Sequence, residues 1–187
     1  MILPITLYGN PVLRKNAEEI DVQNADFDLK SFIDSMFDTM YQANGVGLAA
    51  PQVNQPLSVF VIDTEAFLDE DDTEKPVKKA FINPEITGTL GEKVGFSEGC
   101  LSVPGINEEV LRPEGVRIRY QDLENNTCEE EYHGKAARVI QHEYDHLDGK
   151  MFVDRLSPLK KTIIKSKLNE IANGKKNPPY RFKPNKR

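Results

Sequence analysis

Two of the three histidines in this chain stand four positions apart, in the stretch QHEYDHLDG at residues 141 to 149. On an α-helix, such positions lie about 40° apart around the axis and about 6 Å apart along it. His142 and His146 can then bind one metal ion together, and Glu143, beside the first, can reach a water on that ion. The alternative is a polar helix face that binds nothing. The pattern favours a helix that carries two ligands of a metal site.

A catalytic site of this kind usually takes three protein ligands and leaves one position open. The candidates for the third ligand are Cys100, His133 and a distant carboxylate. Cys100 stands in FSEGCLSVPG, after Gly99, which permits close approach of the backbone. A thiolate binds zinc-like metals well, and metal binding lowers the pKa of the thiol. His133 fits the end of a strand better, so Cys100 is favoured while the alternatives stay open.

A second unusual stretch is GVGLAAPQ at residues 45 to 52. Its small residues leave backbone amides accessible for hydrogen bonds to an extended ligand. The alternative is a tight turn between a helix and a strand, in which Gln52 is merely a polar residue.

The hydrophobic spacing predicts three helices. They cover residues 26–43, about 135–147, and about 158–173, the last capped by Ser157 and ended by Gly174. The third helix places its apolar side chains on one predicted buried face, namely Leu159, Ile163, Ile164, Leu168 and Ile171.

Strands are predicted at residues 57–63 and 80–87, with a hairpin over 115–133 around Asn125-Asn126. These elements indicate an α+β fold. We expect a single domain in which antiparallel or mixed sheets pack around the central HExxH helix, with an N-terminal and a C-terminal helix. Residues 1–174 form the predicted domain, and residues 175–187 a basic, mobile tail.

The composition predicts a cytoplasmic protein with no membrane partner. The longest apolar runs are too short to cross a membrane, and the N-terminus lacks the features of a signal peptide. The net charge of −6 is unevenly distributed, because residues 157–187 hold ten Lys or Arg and one acid. That end therefore carries +9 and the rest of the chain −15. Either the basic end only improves solubility, or it docks on nucleic acid in a salt-dependent way.

The stretches GVGLAAPQ, EGCLS and QHEYDHLDG resemble, in the same order, the three signature motifs of the peptide deformylases. The resemblance covers roughly residues 4 to 160. It implies hydrolysis of the N-formyl group from the initiator methionine of newly synthesised proteins, with release of formate.

The resemblance also implies a set of site residues. Cys100, His142 and His146 hold one divalent metal, usually Fe²⁺, with Zn²⁺, Ni²⁺ or Co²⁺ as substitutes. Glu143 transfers the proton, and the Gln52 side-chain amide and the Leu101 backbone N–H donate to the developing oxyanion.

The expected substrate contacts follow from the same resemblance. Val46, Val139 and His142 help to line an apolar pocket for methionine, while Gly47 pairs with the peptide backbone. This chain has Asn107 where some relatives have an arginine, so Arg112 is its nearest basic candidate for peptide binding. Arg138 stands where an apolar residue is often found.

Glu98 and Asp145 are predicted to orient the metal ligands, or else to be ordinary turn and surface carboxylates. Cys128 is predicted to be a spare thiol. The expected partners are N-formylmethionyl nascent peptides and, through the basic C-terminal region, the ribosome, with no sequence-specific DNA. Two other functions stay open: an HExxH endopeptidase that uses His133, and a non-catalytic relative that binds peptides or RNA.

Overall fold

A computed structural model describes residues 1–185 of the chain. Its α-helices are α1 (Leu29–Gln42), α2 (Gly134–Leu147) and α3 (Pro158–Ala172). Its strands are β1 (Ile5–Thr6), β2 (Gly47–Ala49), β3 (Val59–Asp63), β4 (Lys78–Cys100), β5 (Val103–Gln121), β6 (Thr127–His133) and β7 (Phe182–Lys183). Strands β2 to β6 form an antiparallel sheet in that order, and β1 pairs with β7 in parallel. The predicted α+β class is confirmed.

Helix α1 lies within the predicted range of residues 26–43. The Asp28 carboxylate accepts a hydrogen bond from the Ser31 backbone N–H at 2.9 Å, which satisfies one of the free amides at the helix N-terminus. The buried face of α1 packs against apolar residues of β2 and β3. After the helix, Asn44 adopts a left-handed φ of 55° and the chain turns into β2.

The long hairpin of β4 and β5 dominates the sheet and extends far beyond the predicted strand at residues 80–87. A two-residue turn, Leu101–Ser102, joins the two strands. The last register shift of the pair lies between Glu98 and Cys100, and such irregularities can re-aim side chains. The predicted hairpin at 115–133 is confirmed by the pairing of β5 with β6.

Helix α2 carries the histidine pair and is the most enclosed helix. Eleven of its fourteen residues are buried, so the solvent-facing alternative for QHEYDHLDG is wrong. Its apolar side chains share a core with residues of β3 and β5, such as Phe60 and Val116. The Glu74 carboxylate accepts a hydrogen bond from the Lys135 backbone N–H at 3.0 Å, which suits the positive end of the helix dipole.

Helix α3 has the predicted Ser157 cap and Pro158 in its first turn. Only part of its predicted apolar face is buried. Ile164, Leu168 and Ile171 lie in the core, whereas Leu159 and Ile163 are 71% and 67% exposed. The prediction is wrong for these two, because α3 contacts the core with its second half only. Among residues 1–185, no helix combines the length and apolar content that a membrane crossing requires.

The C-terminal segment up to Asn185 is bonded to the N-terminal segment, unlike the mobile tail predicted for residues 175–187, of which 186 and 187 lie outside the described residues. Strand β7 pairs with β1, and the Ile5 backbone N–H donates to the Arg181 carbonyl at 3.0 Å. The Asn185 side-chain amide donates to the Tyr8 carbonyl at 2.8 Å. These bonds tie the two ends of the chain together, a long-range pairing that a basic composition does not signal. The domain boundary at residue 174 stays a prediction.

Candidate metal centre

Three potential metal ligands converge between β4 and α2. Cys100 ends β4, while His142 and His146 face it from α2. One ligand atom from each residue lies within 4.8 Å of the others, and Cys100 Sγ is 3.4 Å from His146 Nε2. His133 pairs with Gly115 at the end of β6 and does not belong to this cluster, which is the one such group found in the described residues.

The surroundings of the two imidazoles suit metal binding. His142 Nδ1 lies 2.9 Å from Glu98 Oε2, and when Nδ1 donates this bond in a neutral ring, Nε2 is the nitrogen available to a metal. Burial lowers the pKa of His146 to about 3, which keeps the ring in the neutral form that metals require. His146 Nδ1 is buried without a hydrogen-bond partner among residues 1–185. A thiolate with two imidazoles is a donor set that fits a zinc-like or ferrous ion.

Glu143 is buried beside this cluster. Burial raises the pKa of its carboxyl to about 7, and Oε2 has no hydrogen-bond partner within residues 1–185. A carboxyl group with such a pKa can accept and release a proton near neutral pH.

A buried ion network supports the cluster from behind. Arg112 donates to both Glu98 oxygens at 2.6 and 2.8 Å and to Asp145 at 2.7 Å. Burial alone would raise the pKa of Glu98, but the hydrogen bonds from Arg112 and His142 hold it well below its usual range. Glu98 therefore stays ionised and orients His142, as predicted.

Two other predicted roles change. Asp145 bonds to Arg112 and Arg155 instead of a histidine, so it acts on the ligands only through Arg112. Arg112 was predicted to bind the peptide, but it is only 1% exposed and its guanidinium N–H groups are paired with Glu98 and Asp145 inside the protein. A single sequence does not distinguish such a buried cation from a surface one.

A cavity of about 410 Å³ opens onto the cluster. Its lining includes most of the predicted site residues, namely Val46, Gly47, Gln52, Cys100, Leu101, Val139, His142 and Glu143. Sequence reasoning missed Phe67, Phe96, Pro104, Gly105, Pro179 and Tyr180, which also line it. Phe96, Pro104 and Gly105 flank EGCLS directly in the sequence. Phe67, Pro179 and Tyr180 come from segments without a recognisable motif, and only the fold brings them to the cavity.

Arg138 also lines this cavity, where it forms part of the wall. Its guanidinium donates to Glu98 at 3.0 Å and to the Val94 carbonyl at 2.6 Å, and it lies 5.7 Å from the centre of the Phe96 ring. Its charge is thus balanced within the protein, and its stem packs against an apolar surface.

The sequence profile described as Polypeptide deformylase matches residues 2–162. The chain belongs to the peptide deformylase family. It is 50% identical to the peptide deformylase of Christiangramia forsetii over 190 residues, which cover 98% of this chain and 96% of the relative. It is 49% identical to that of Cytophaga hutchinsonii, over 98% and 97% of the two chains. The crystal structure of a peptide deformylase from Legionella pneumophila matches with a TM-score of 0.79 and 40% identity, over 91% and 95% of the two chains.

Peptide deformylases are metal-dependent hydrolases that remove the N-formyl group from the N-terminal methionine of nascent proteins, and this chain is a hydrolase of that kind. The endopeptidase and non-catalytic alternatives are therefore set aside.

The two predicted oxyanion donors of this deformylase lie next to Cys100. The Gln52 side-chain nitrogen is 3.5 Å from Cys100 Sγ and 3.3 Å from Ser102 Oγ. Its side-chain oxygen accepts from the Ala49 backbone N–H at 2.8 Å, so the amide group is held in one orientation. Leu101 follows the cysteine directly in the turn between β4 and β5.

Proposed function

We propose that this deformylase holds one divalent ion, Fe²⁺ in the cell, with Cys100, His142 and His146, and that Glu143 moves the proton. The observation that carries this proposal is the convergence of these three ligands beside an unpartnered, buried carboxyl group in one cavity. A divalent ion at this place supplies Lewis acidity, which makes water a better nucleophile near neutral pH.

Three protein groups then have separate roles in the reaction. Glu143 accepts a proton from the attacking water and passes it to the amine nitrogen as the formyl C–N bond breaks. The formyl oxygen gains negative charge when its carbon becomes tetrahedral. Gln52 Nε2 and the Leu101 backbone N–H donate hydrogen bonds to that oxygen.

Substrate selection follows from the shape of the cavity. A formyl group carries hydrogen where an acetyl group carries a methyl, so a close fit beside Cys100 and Glu143 excludes the larger group. The apolar wall formed by Val46, Val139 and Phe96 accepts the methionine side chain. Strand β2 is at the edge of its sheet, so Gly47 has a free edge for pairing with an extended peptide.

The test is formate release from an N-formyl-Met-Ala peptide by anaerobically purified protein, with elemental analysis of the same sample. The proposal expects formate with the Met–Ala bond intact, iron as the bound metal, and no turnover by Glu143→Ala although its metal is retained. Cleavage of the peptide bond would indicate an endopeptidase. Zinc or nickel in the anaerobic sample would overturn the assignment of iron.

We further propose that the enzyme works in the cytoplasm on N-formylmethionyl nascent chains and docks on ribosomal RNA. The charge of +9 over residues 157–187 supports this partner. On α3, Lys161 and Lys165 are both exposed and stand four positions apart, so they lie on one face of the helix. This face presents two positive charges to phosphates.

A further inference from the structure

The C-terminal segment reaches the catalytic cavity. Pro179 and Tyr180 line it together with Leu101, and the Tyr180 hydroxyl donates to the Leu101 carbonyl at 2.6 Å. This contact joins residues that are 79 positions apart in the chain. None of the three motif stretches contains either Pro179 or Tyr180.

Hydrogen bonds from three separate segments hold the turn at Leu101 and Ser102 in place. The Tyr8 backbone N–H donates to the Ser102 carbonyl at 2.8 Å, and Gln52 Nε2 lies 3.3 Å from Ser102 Oγ. Both of these bonds end on Ser102. The bond from Tyr180 ends on Leu101 itself, the residue that carries the predicted oxyanion donor.

Tyr180 is itself held in place by its neighbours. The Arg181 carbonyl accepts from the Ile5 N–H at 3.0 Å, and the Arg181 guanidinium donates to the Ile2 carbonyl at 2.8 Å. Strand β7 then pairs with β1, and the Asn185 side-chain amide donates hydrogen bonds to the carbonyls of Tyr8 and Ala172. The phenol is thus attached to a fixed support, so its hydrogen bond can restrain the turn.

A residue has two soft backbone dihedral angles, because the peptide groups on either side are planar. A hydrogen bond at the Leu101 carbonyl restrains the backbone dihedral angle ψ of Leu101. It therefore also restrains the orientation of the Leu101 N–H relative to that carbonyl. The direction of the Leu101 N–H therefore depends on the Tyr180 hydroxyl. A donor must already be oriented when charge develops on the substrate oxygen, because reorientation at that moment costs free energy.

We infer that Tyr180 is a positioning residue of this enzyme, which orients the Leu101 N–H from the C-terminal segment. The inference rests on the role proposed above for Leu101. It makes Pro179 and Tyr180 a functional wall of the active site, held in place by residues 181–185.

The test compares Tyr180→Phe with wild type and with Tyr132→Phe. Both variants keep the ring and lose one hydroxyl hydrogen bond, but Tyr132 bonds to Glu130 on β6, outside the cavity. Loss of one neutral hydrogen bond predicts that kcat of Tyr180→Phe for formyl-Met-Ala falls about 3- to 10-fold. KM, metal content and melting temperature should match those of Tyr132→Phe, because the change affects the orientation of a donor and leaves binding surfaces intact.

A second readout does not depend on turnover. Amide hydrogen exchange in the fragment that spans Cys100 to Val103 should be about 3- to 10-fold faster in Tyr180→Phe, and unchanged in Tyr132→Phe. Faster exchange together with lower kcat supports the inference. Wild-type kcat or wild-type exchange in Tyr180→Phe overturns it. If wild type releases no formate, the proposed function fails, and the exchange result alone decides whether Tyr180 holds the turn.

Discussion

Gly47 controls the space next to the carboxyl group of Glu143. A Cβ atom built on Gly47 would lie 2.8 Å from Glu143 Cγ and would overlap with the carboxylate oxygen. Glu143 is buried on α2 and cannot move freely away, because its helix is enclosed on most sides. The absence of a side chain at residue 47 thus permits both the position of Glu143 and the close approach of a peptide to β2.

We expect Gly47→Ala to lower kcat/KM by about 100-fold, because a displacement of about 1 Å of a catalytic group has effects of this size. The measurement is formate release at several substrate concentrations, with metal content determined on the same sample. Gly88→Ala is the matched control, since a Cβ there meets only ordinary contact with Arg117 at 3.8 Å. Equal activity of the two variants would show that Glu143 does not need the space at Gly47.

The two cysteines of the chain allow a direct test of the metal ligands. Cys100→Ser replaces a thiolate by a hydroxyl, a poor anionic ligand at neutral pH, so the variant should lose or exchange its metal and lose activity. Cys128→Ser should keep both, because Cys128 lies on β6 and is absent from the cluster. The measurement is metal stoichiometry after dialysis. Full stoichiometry and activity in Cys100→Ser would refute the assignment of this ligand.

At the scale of secondary-structure elements, buried charges join β4, β5 and α2. Arg112 on β5 connects Glu98 on β4 with Asp145 on α2, and all three side chains are 4% exposed or less. Truncation of one partner in such a network leaves the others charged and unpaired in the interior, which costs far more than loss of a surface pair.

Arg112→Met should therefore lower the free energy of unfolding by about 3–5 kcal/mol. Arg117→Met, on the same strand, should cost far less, because the Arg117–Glu131 pair is half exposed and screened by solvent. Urea denaturation of both variants in the metal-free state separates these values from any change in metal affinity. Equal stabilities of the two variants would mean that the buried network contributes no more to stability than the half-exposed Arg117–Glu131 pair.

The prediction of secondary structure from the sequence succeeded where the hydrophobic periodicity agrees with the residues that cap or end helices. Ser157 and Gly174 mark the ends of α3 correctly, and the HExxH pair lies on a helix as its spacing requires. Most of β4 was missed because both of its faces are largely exposed after Thr87, so its residues do not alternate between apolar and polar. Its pairing with β5 over that range is a long-range property that local sequence does not encode.

At the scale of the whole molecule, the sequence motifs identified the proposed metal ligands. The complete site also needs segments that are distant in the sequence to pack against each other. Cys100 and the two histidines were found because their chemistry is specific for metals. Tyr180 and Phe67 are ordinary aromatic residues in sequence, and only the packing of the C-terminal segment and of the connection between β3 and β4 brings them to the cavity. The burial of Arg112 has the same origin, since its two carboxylate partners come from different elements.

The division of charge over the whole molecule leads to the last prediction. Residues 157–187 carry +9 on a protein of net charge −6, and Lys161 and Lys165 are exposed on α3. If these lysines contact ribosomal phosphates, each releases about one counterion, so binding falls linearly with salt on logarithmic axes.

The double variant Lys161→Gln with Lys165→Gln should reduce the slope of log affinity against log salt by about 2 in ribosome sedimentation. The matched control neutralises Lys30 and Lys93, which are exposed elsewhere and should leave the slope unchanged. These substitutions keep residues 178–185 intact, so formate release from a free formyl-Met-Ala peptide should equal that of wild type. A removal of the whole basic end would disturb the cavity as well, because Tyr180 lines it. An unchanged slope in the α3 variant, or an equal decrease in both, would exclude α3 as the ribosome-binding surface.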